Sequence, residues 1–148
     1  MMIRIHPIAG VVGFLTILTF WASTLYVELF GTYADVVAVK LMVLKGLWLL
    51  IPAMAIVGAS GMKMGHRRKD APARAKKKRM PLIAANGLLV LVPAAIYLSS
   101  KASAGSFDLS FYVVQVIELT AGACNLALMG LSIKDGRAMA KRRRAAAK

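Results

Sequence analysis

Four long stretches of this chain are almost free of charge: residues 8–30, 36–60, 82–99 and 109–133. Each is close to the roughly 20 residues that a helix needs to cross about 30 Å of hydrocarbon at about 1.5 Å per residue. Only helices and closed barrels satisfy their own backbone in lipid, and no alternating strand pattern appears in these stretches. The expectation is therefore an all-α integral membrane protein, one domain built as a bundle of four antiparallel transmembrane helices. Composition agrees, since 59% of the 148 residues are apolar, against about 45–50% in a soluble domain. The first apolar run is longer than a signal-peptide core and is followed by no small-x-small cleavage site, so it reads as an uncleaved helix.

The connections set the orientation. Residues 31–35 and 100–108 are short links, 61–80 is a polar loop, and 134–148 is a basic tail. Of the 20 lysines and arginines, all but Lys40, Lys45 and Lys101 lie before the first helix, in the 61–80 loop or in the tail. Basic residues in short loops stay on the cytoplasmic side. The expected placement is a bacterial inner membrane with both termini cytoplasmic. Pro81 is expected at the first position of the third helix, where its missing N–H costs nothing. Asp135-Gly136 fits the stop of the fourth, with the tail free to continue as a surface helix.

The formal charge of +14 does not point to nucleic acid, because the basic residues form blocks beside membrane helices without interleaved aromatics. Arg67, Arg68, Lys76, Lys77, Lys78, Arg79, Arg142, Arg143 and Arg144 are instead expected to contact the anionic cytoplasmic leaflet. An acidic protein partner is the second reading of these blocks.

Three charges inside the spans need partners. Counted from residue 36, Lys40 lies about 6 Å deep and Lys45 about 13 Å deep; Glu118, nine residues into the fourth helix, matches Lys45. A charge at mid-membrane costs about 2.5–3.5 kcal/mol on insertion scales. A Lys45–Glu118 ion pair is the economical arrangement, with Glu28–Lys40 as an outer pair. The alternative is a Lys45 that snorkels and a Glu118 that is protonated. Gln115, Glu118, Gly122, Asn125, Met129 and Ser132 recur at spacings of three and four, and so share a helix face. With Asn86 on the third helix, they predict a polar seam that holds helices together. A proton or solute pathway along that seam is a sharper reading of the same residues.

His6 and His66 flank the first two helices at the same predicted membrane face. Two such histidines are candidate axial ligands of a b-type haem, or part of a metal site, although His66 sits in the basic run HRRK. Cys124 is the single cysteine, so no internal disulfide is available. The sequence carries no Gly-rich phosphate loop, HExxH, CxxC or nucleophile elbow. Asp35 and Asp108 read as helix caps. GLWLLIPAMA from Gly46 and GLLVLVPAAI from Gly87 echo one another, and Pro52 and Pro93 are expected to bend their helices.

IHPIAG, GLWLLIPAMAIVGASG, RMPLIAANGLLVLVPAA and FYVVQVIELTAGACNLALMGLSIKDG resemble a family of small four-helix bacterial inner-membrane proteins. The resemblance is carried by His6-Pro7, Arg79-Met80-Pro81, Asn86-Gly87 and Asp135-Gly136. It implies four helices and a bacterial source, and no activity, cofactor or catalytic residue. The role expected is non-enzymatic: a small accessory or scaffold subunit, as a homo-oligomer or within a larger membrane complex. A haem-binding or redox protein using His6 and His66 is the alternative, and a small proton-coupled transporter a further one.

Overall fold

The computed structural model describes residues 2–65 and 71–145. Helix α1 covers Met2–Phe30 and α2 covers Tyr33–Gly65. The third span is continuous: α3 (Ala71–Asn86), a π-helical segment (Gly87–Leu91) and α4 (Val92–Ser103). Helix α5 covers Leu109–Ala145. There is no strand among the described residues, and four segments are long and apolar enough to cross a membrane.

Two helices run further than the sequence predicts. Pro81 lies inside α3, which starts ten residues earlier at Ala71. Asp135-Gly136 lies inside α5, which continues to Ala145. The reason is the same at both places. The flanking residues APARAKKKR and RAMAKRRRA are mostly Ala, Lys and Arg, which favour helix, and one glycine costs only about 1 kcal/mol against alanine. A helix already nucleated in the membrane is cheap to extend through such residues.

The turns at the opposite end are closed by local hydrogen bonds. Thr32 caps α2: its Oγ1 accepts from the Asp35 N–H at 3.3 Å, and Asp35 Oδ2 accepts from the Thr32 N–H at 2.8 Å. Asp35 is thus the returning half of a capping box and not the cap itself. Helix α4 ends with Gly105 at φ +66°, while the Gly105 and Ser106 N–H groups donate to the carbonyls of Ala102 and Lys101. This glycine-terminated motif satisfies carbonyls that the helix end leaves open. Asp108 caps α5, accepting from the Phe111 N–H at 3.0 Å.

The π segment ends immediately before Val92 and Pro93. Proline offers no N–H to the carbonyl four residues back and its ring collides with it. Here the Val92 N–H donates to Gly87, five residues back, and the wider turn makes room for the ring. Around Pro52, helix α2 runs without such an interruption, so the two echoed stretches differ in local structure.

The spans form a ring in the order α1, α2, third span, α5. Each touches its two neighbours, and no Cα atoms of α2 and α5 approach within 8 Å. The outer surface is apolar: Trp48, Leu109, Phe30 and Leu89 are all at least three-quarters exposed. The interior holds apolar clusters around Phe111, Ile17 and Val43, and among them the polar residues His6, Thr24, Lys40, Ser60, Ser99, Gln115, Asn125 and Ser132. Such an inside-out surface belongs to a multi-pass membrane protein, whose exterior is solvated by lipid.

Candidate functional site: an ion pair across the bundle and a lysine facing outward

Helix α2 presents Val36, Lys40, Val43 and Leu47 to the interior, all of them buried. Their spacing of four, three and four puts them in one stripe. Lys40 is only 1% exposed, and its Nζ donates to Glu118 Oε2 at 2.6 Å. Because α2 and α5 are diagonal in the ring, the lysine side chain spans the bundle centre. Gln115, one turn before Glu118 on α5, donates from Nε2 to the same oxygen at 3.2 Å. Glu28 on α1 lies within electrostatic reach of both Lys40 and Glu118. A cavity of about 50 Å³ ends on Glu118 and Thr24, with Trp21, Leu47, Ala95 and Gly122 among its walls.

The partner of Glu118 is therefore Lys40, and the expected Lys45–Glu118 pair is corrected. Depth alone does not separate the two lysines once α2 begins at Tyr33. Lys40 is then about 10 Å from its helix start and Glu118 about 13 Å from its own, within reach of a long side chain. Direction decides. Five residues turn a helix by about 140°, so Lys45 cannot share the stripe of Lys40. Lys45 is exposed and makes no hydrogen bond or ion pair among the described residues. The outer Glu28–Lys40 pair is also displaced, since the close bond of Lys40 goes to Glu118.

Around this pair, α5 collects bonds from the other spans. Trp21 Nε1 of α1 donates to the Leu119 carbonyl at 2.8 Å, and Asn86 Nδ2 of α3 donates to the Ala121 carbonyl at 2.8 Å. Arg79 meets Asp135 at 2.6 Å, so this arginine, expected at lipid headgroups, binds a carboxylate. Gln115, Gly122, Asn125, Met129 and Ser132 all face inward, and Asn125 lies beside Gly87 of the π segment. Three buried side-chain atoms among the described residues lack a partner: Glu28 Oε1, Gln115 Oε1 and Asn125 Oδ1. All three are oxygens that accept.

Sequence reasoning missed the seat of Trp21. A Cβ on Gly122 would lie 2.9 Å from Trp21 Cδ1, and one on Gly46 would overlap the ring of Phe20. The signal was present in part, since Gly122 falls on the seam, but nothing in the sequence says which aromatic fills the notch. His6 is buried, with Nδ1 2.7 Å from Ser60 Oγ. This bond joins α1 to α2 at the end that carries the chain termini. The second histidine, His66, lies outside the described residues, as do Arg67 and Arg68. The side chains of Lys76, Lys77, Arg143 and Arg144 lie outside them too, while Lys78 and Arg142 are exposed.

Outside the spans, Asp108 accepts from Lys101 Nζ, Ser110 Oγ and the Phe111 N–H. The Lys101 ammonium, followed by those two donors, holds the Asp108 carboxyl well below the usual carboxylate range. Compared with known families, curated proteins and solved structures, the chain matches none.

Proposed function

We propose that this chain is a non-enzymatic accessory subunit of a larger membrane complex, in a bacterial inner membrane with both termini cytoplasmic. The orientation rests on the concentration of basic residues beside the termini and in the 61–80 stretch. The observation that carries the role is Lys45. It sits near the midpoint of the 28-residue span Tyr33–Ser60 and points out of the bundle. An unpaired lysine there costs about 2.5–3.5 kcal/mol on insertion scales, and a carboxylate on a neighbouring helix removes that cost. The same face of α2 continues through Trp48, Leu49, Pro52 and Ile56, which with Ile8 and Val12 of α1 line an open apolar groove of about 350 Å³.

A second copy is a poor source of that carboxylate. The chain has six acidic residues. Glu118 is committed to Lys40 in the interior, Arg79 holds Asp135, Asp35 closes the capping box of α2 and Asp108 caps α5. Asp70 lies in the 61–80 connection, and Glu28 stands two residues from the end of α1. None is offered outward at mid-membrane. The partner that fits is a different membrane chain with an acidic residue halfway through a helix.

Photo-crosslinking from position 49 in native membranes tests this. The expected result is one protein adduct that disappears in Lys45→Met and also on neutralising a mid-membrane carboxylate in the captured chain. Adducts to lipid alone, or a protein adduct indifferent to Lys45→Met, would contradict the reading.

A further inference from the structure

The charged cluster that runs from the bundle centre towards the outer end of α1 does not balance. It holds two carboxyl groups, Glu28 and Glu118, and one ammonium, Lys40. With both acids ionised it carries one net negative charge while Lys40 and one oxygen of Glu28 are shut away from solvent, which is disfavoured. Its hydrogen bonds show the same deficit. Glu118 Oε2 receives two donors, Lys40 Nζ and Gln115 Nε2. Glu28 Oε1 and Gln115 Oε1 are buried and receive none. Gln115 is only 3% exposed, and its carboxamide is held against Glu118. The cluster lacks a hydrogen donor and a positive charge, and one proton supplies both.

We propose that the Glu28–Lys40–Gln115–Glu118 cluster is a proton-binding site that holds one proton on Glu28. The position follows from the donors. Glu118 Oε2 already accepts from an ammonium and an amide, whereas the unpartnered oxygen of Glu28 becomes a donor once protonated. The bound state is then Lys40 as ammonium, Glu118 as carboxylate and Glu28 as carboxylic acid, with no net charge. Release passes the proton to water at the outer end of α1, and uptake reverses it. The other titratable group within electrostatic reach of Glu28 is Tyr112 of α5, with Tyr33 of α2 beside it. Lys101 of α4 is occupied by Asp108. The charge count holds whether or not the protein serves as an accessory subunit.

The test uses a favourable accident of composition, because Glu28 and Glu118 are the only glutamates in the chain. The full-length protein, labelled with ¹³C at the glutamate side-chain carboxyl and reconstituted in liposomes, is read by solid-state NMR and infrared spectroscopy. At pH 7 the expected result is two signals of equal weight, one protonated acid and one carboxylate. The acid signal should vanish in Glu28→Gln, and in Lys40→Met both glutamates should read as acids. If Glu28→Gln fails to fold, the unsubstituted protein alone decides, through the ratio of its two signals. Two carboxylate signals at pH 7 would overturn the proposal. An acid signal that survives Glu28→Gln, or one titrated by sodium at constant pH, would overturn it equally.

Discussion

Lys40 and Lys45 are five residues apart on one helix, yet one is almost wholly enclosed in the bundle and the other faces outward. Replacing Lys40 by Met leaves Glu118 buried without its cation, and breaking such a pair costs about 3–5 kcal/mol. Glu118→Gln should cost less, because the ammonium keeps its electrostatic attraction to Glu28. Lys45→Met should leave the unfolding midpoint of the isolated protein unchanged or raise it, while abolishing partner capture. Asn86→Ala removes one bond from α3 to the Ala121 carbonyl, with an expected loss of about 0.6 kcal/mol and an upper bound of about 1.7 kcal/mol. Reversible unfolding in mixed micelles, read by circular dichroism, separates these values. At this scale the sequence exposed the cost of burying charge and identified Glu118 as the acid. It did not identify the lysine, because matching depths along two helices leaves out the direction in which each side chain points.

At the scale of elements, α5 is the helix on which the others are fixed. Its segment from Gln115 to Asn125 takes Lys40 from α2, Trp21 from α1 and Asn86 from α3. Gly122→Ala would drive a methyl group into Trp21 Cδ1, since the Cβ would lie 2.9 Å away. Overpacking of this kind costs about 1–3 kcal/mol, and quenching of Trp21 fluorescence by a brominated lipid should rise as the ring leaves its seat. The cap of α5 has a pH signature. Asp108 is held below its ordinary range when folded, so its contribution is fully present at neutral pH. It begins to be lost as pH falls below about 4, where the unfolded carboxyl takes up protons. Asp108→Asn should lose that acid limb and unfold with a flatter pH profile in this range. The seam on α5 was legible from spacings of three and four. The π segment was not, because Pro93 signals only that regular hydrogen bonding fails nearby and not how the backbone absorbs the failure.

The whole molecule is a ring of four spans with lipid-compatible residues outside and most of its hydrogen-bonding side chains set among apolar clusters inside. That much was legible, because long uncharged runs admit few other folds. The ring order was not, since short connections dictate which helices run antiparallel but not which are diagonal. The diagonal matters most: α2 and α5 have no close backbone approach, so side chains couple them, and the Lys40–Glu118 bond is the charged link among these. A double-mutant cycle on Lys40→Met and Glu118→Gln, followed by unfolding in mixed micelles, addresses this coupling without intermediaries. The expected result is a strongly destabilised Lys40→Met that regains most of its stability when Glu118→Gln is added, while Lys45→Met with Glu118→Gln shows simple additivity. A vanishing coupling for Lys40, or an equal one for Lys45, would contradict an ion pair that closes the bundle across its centre.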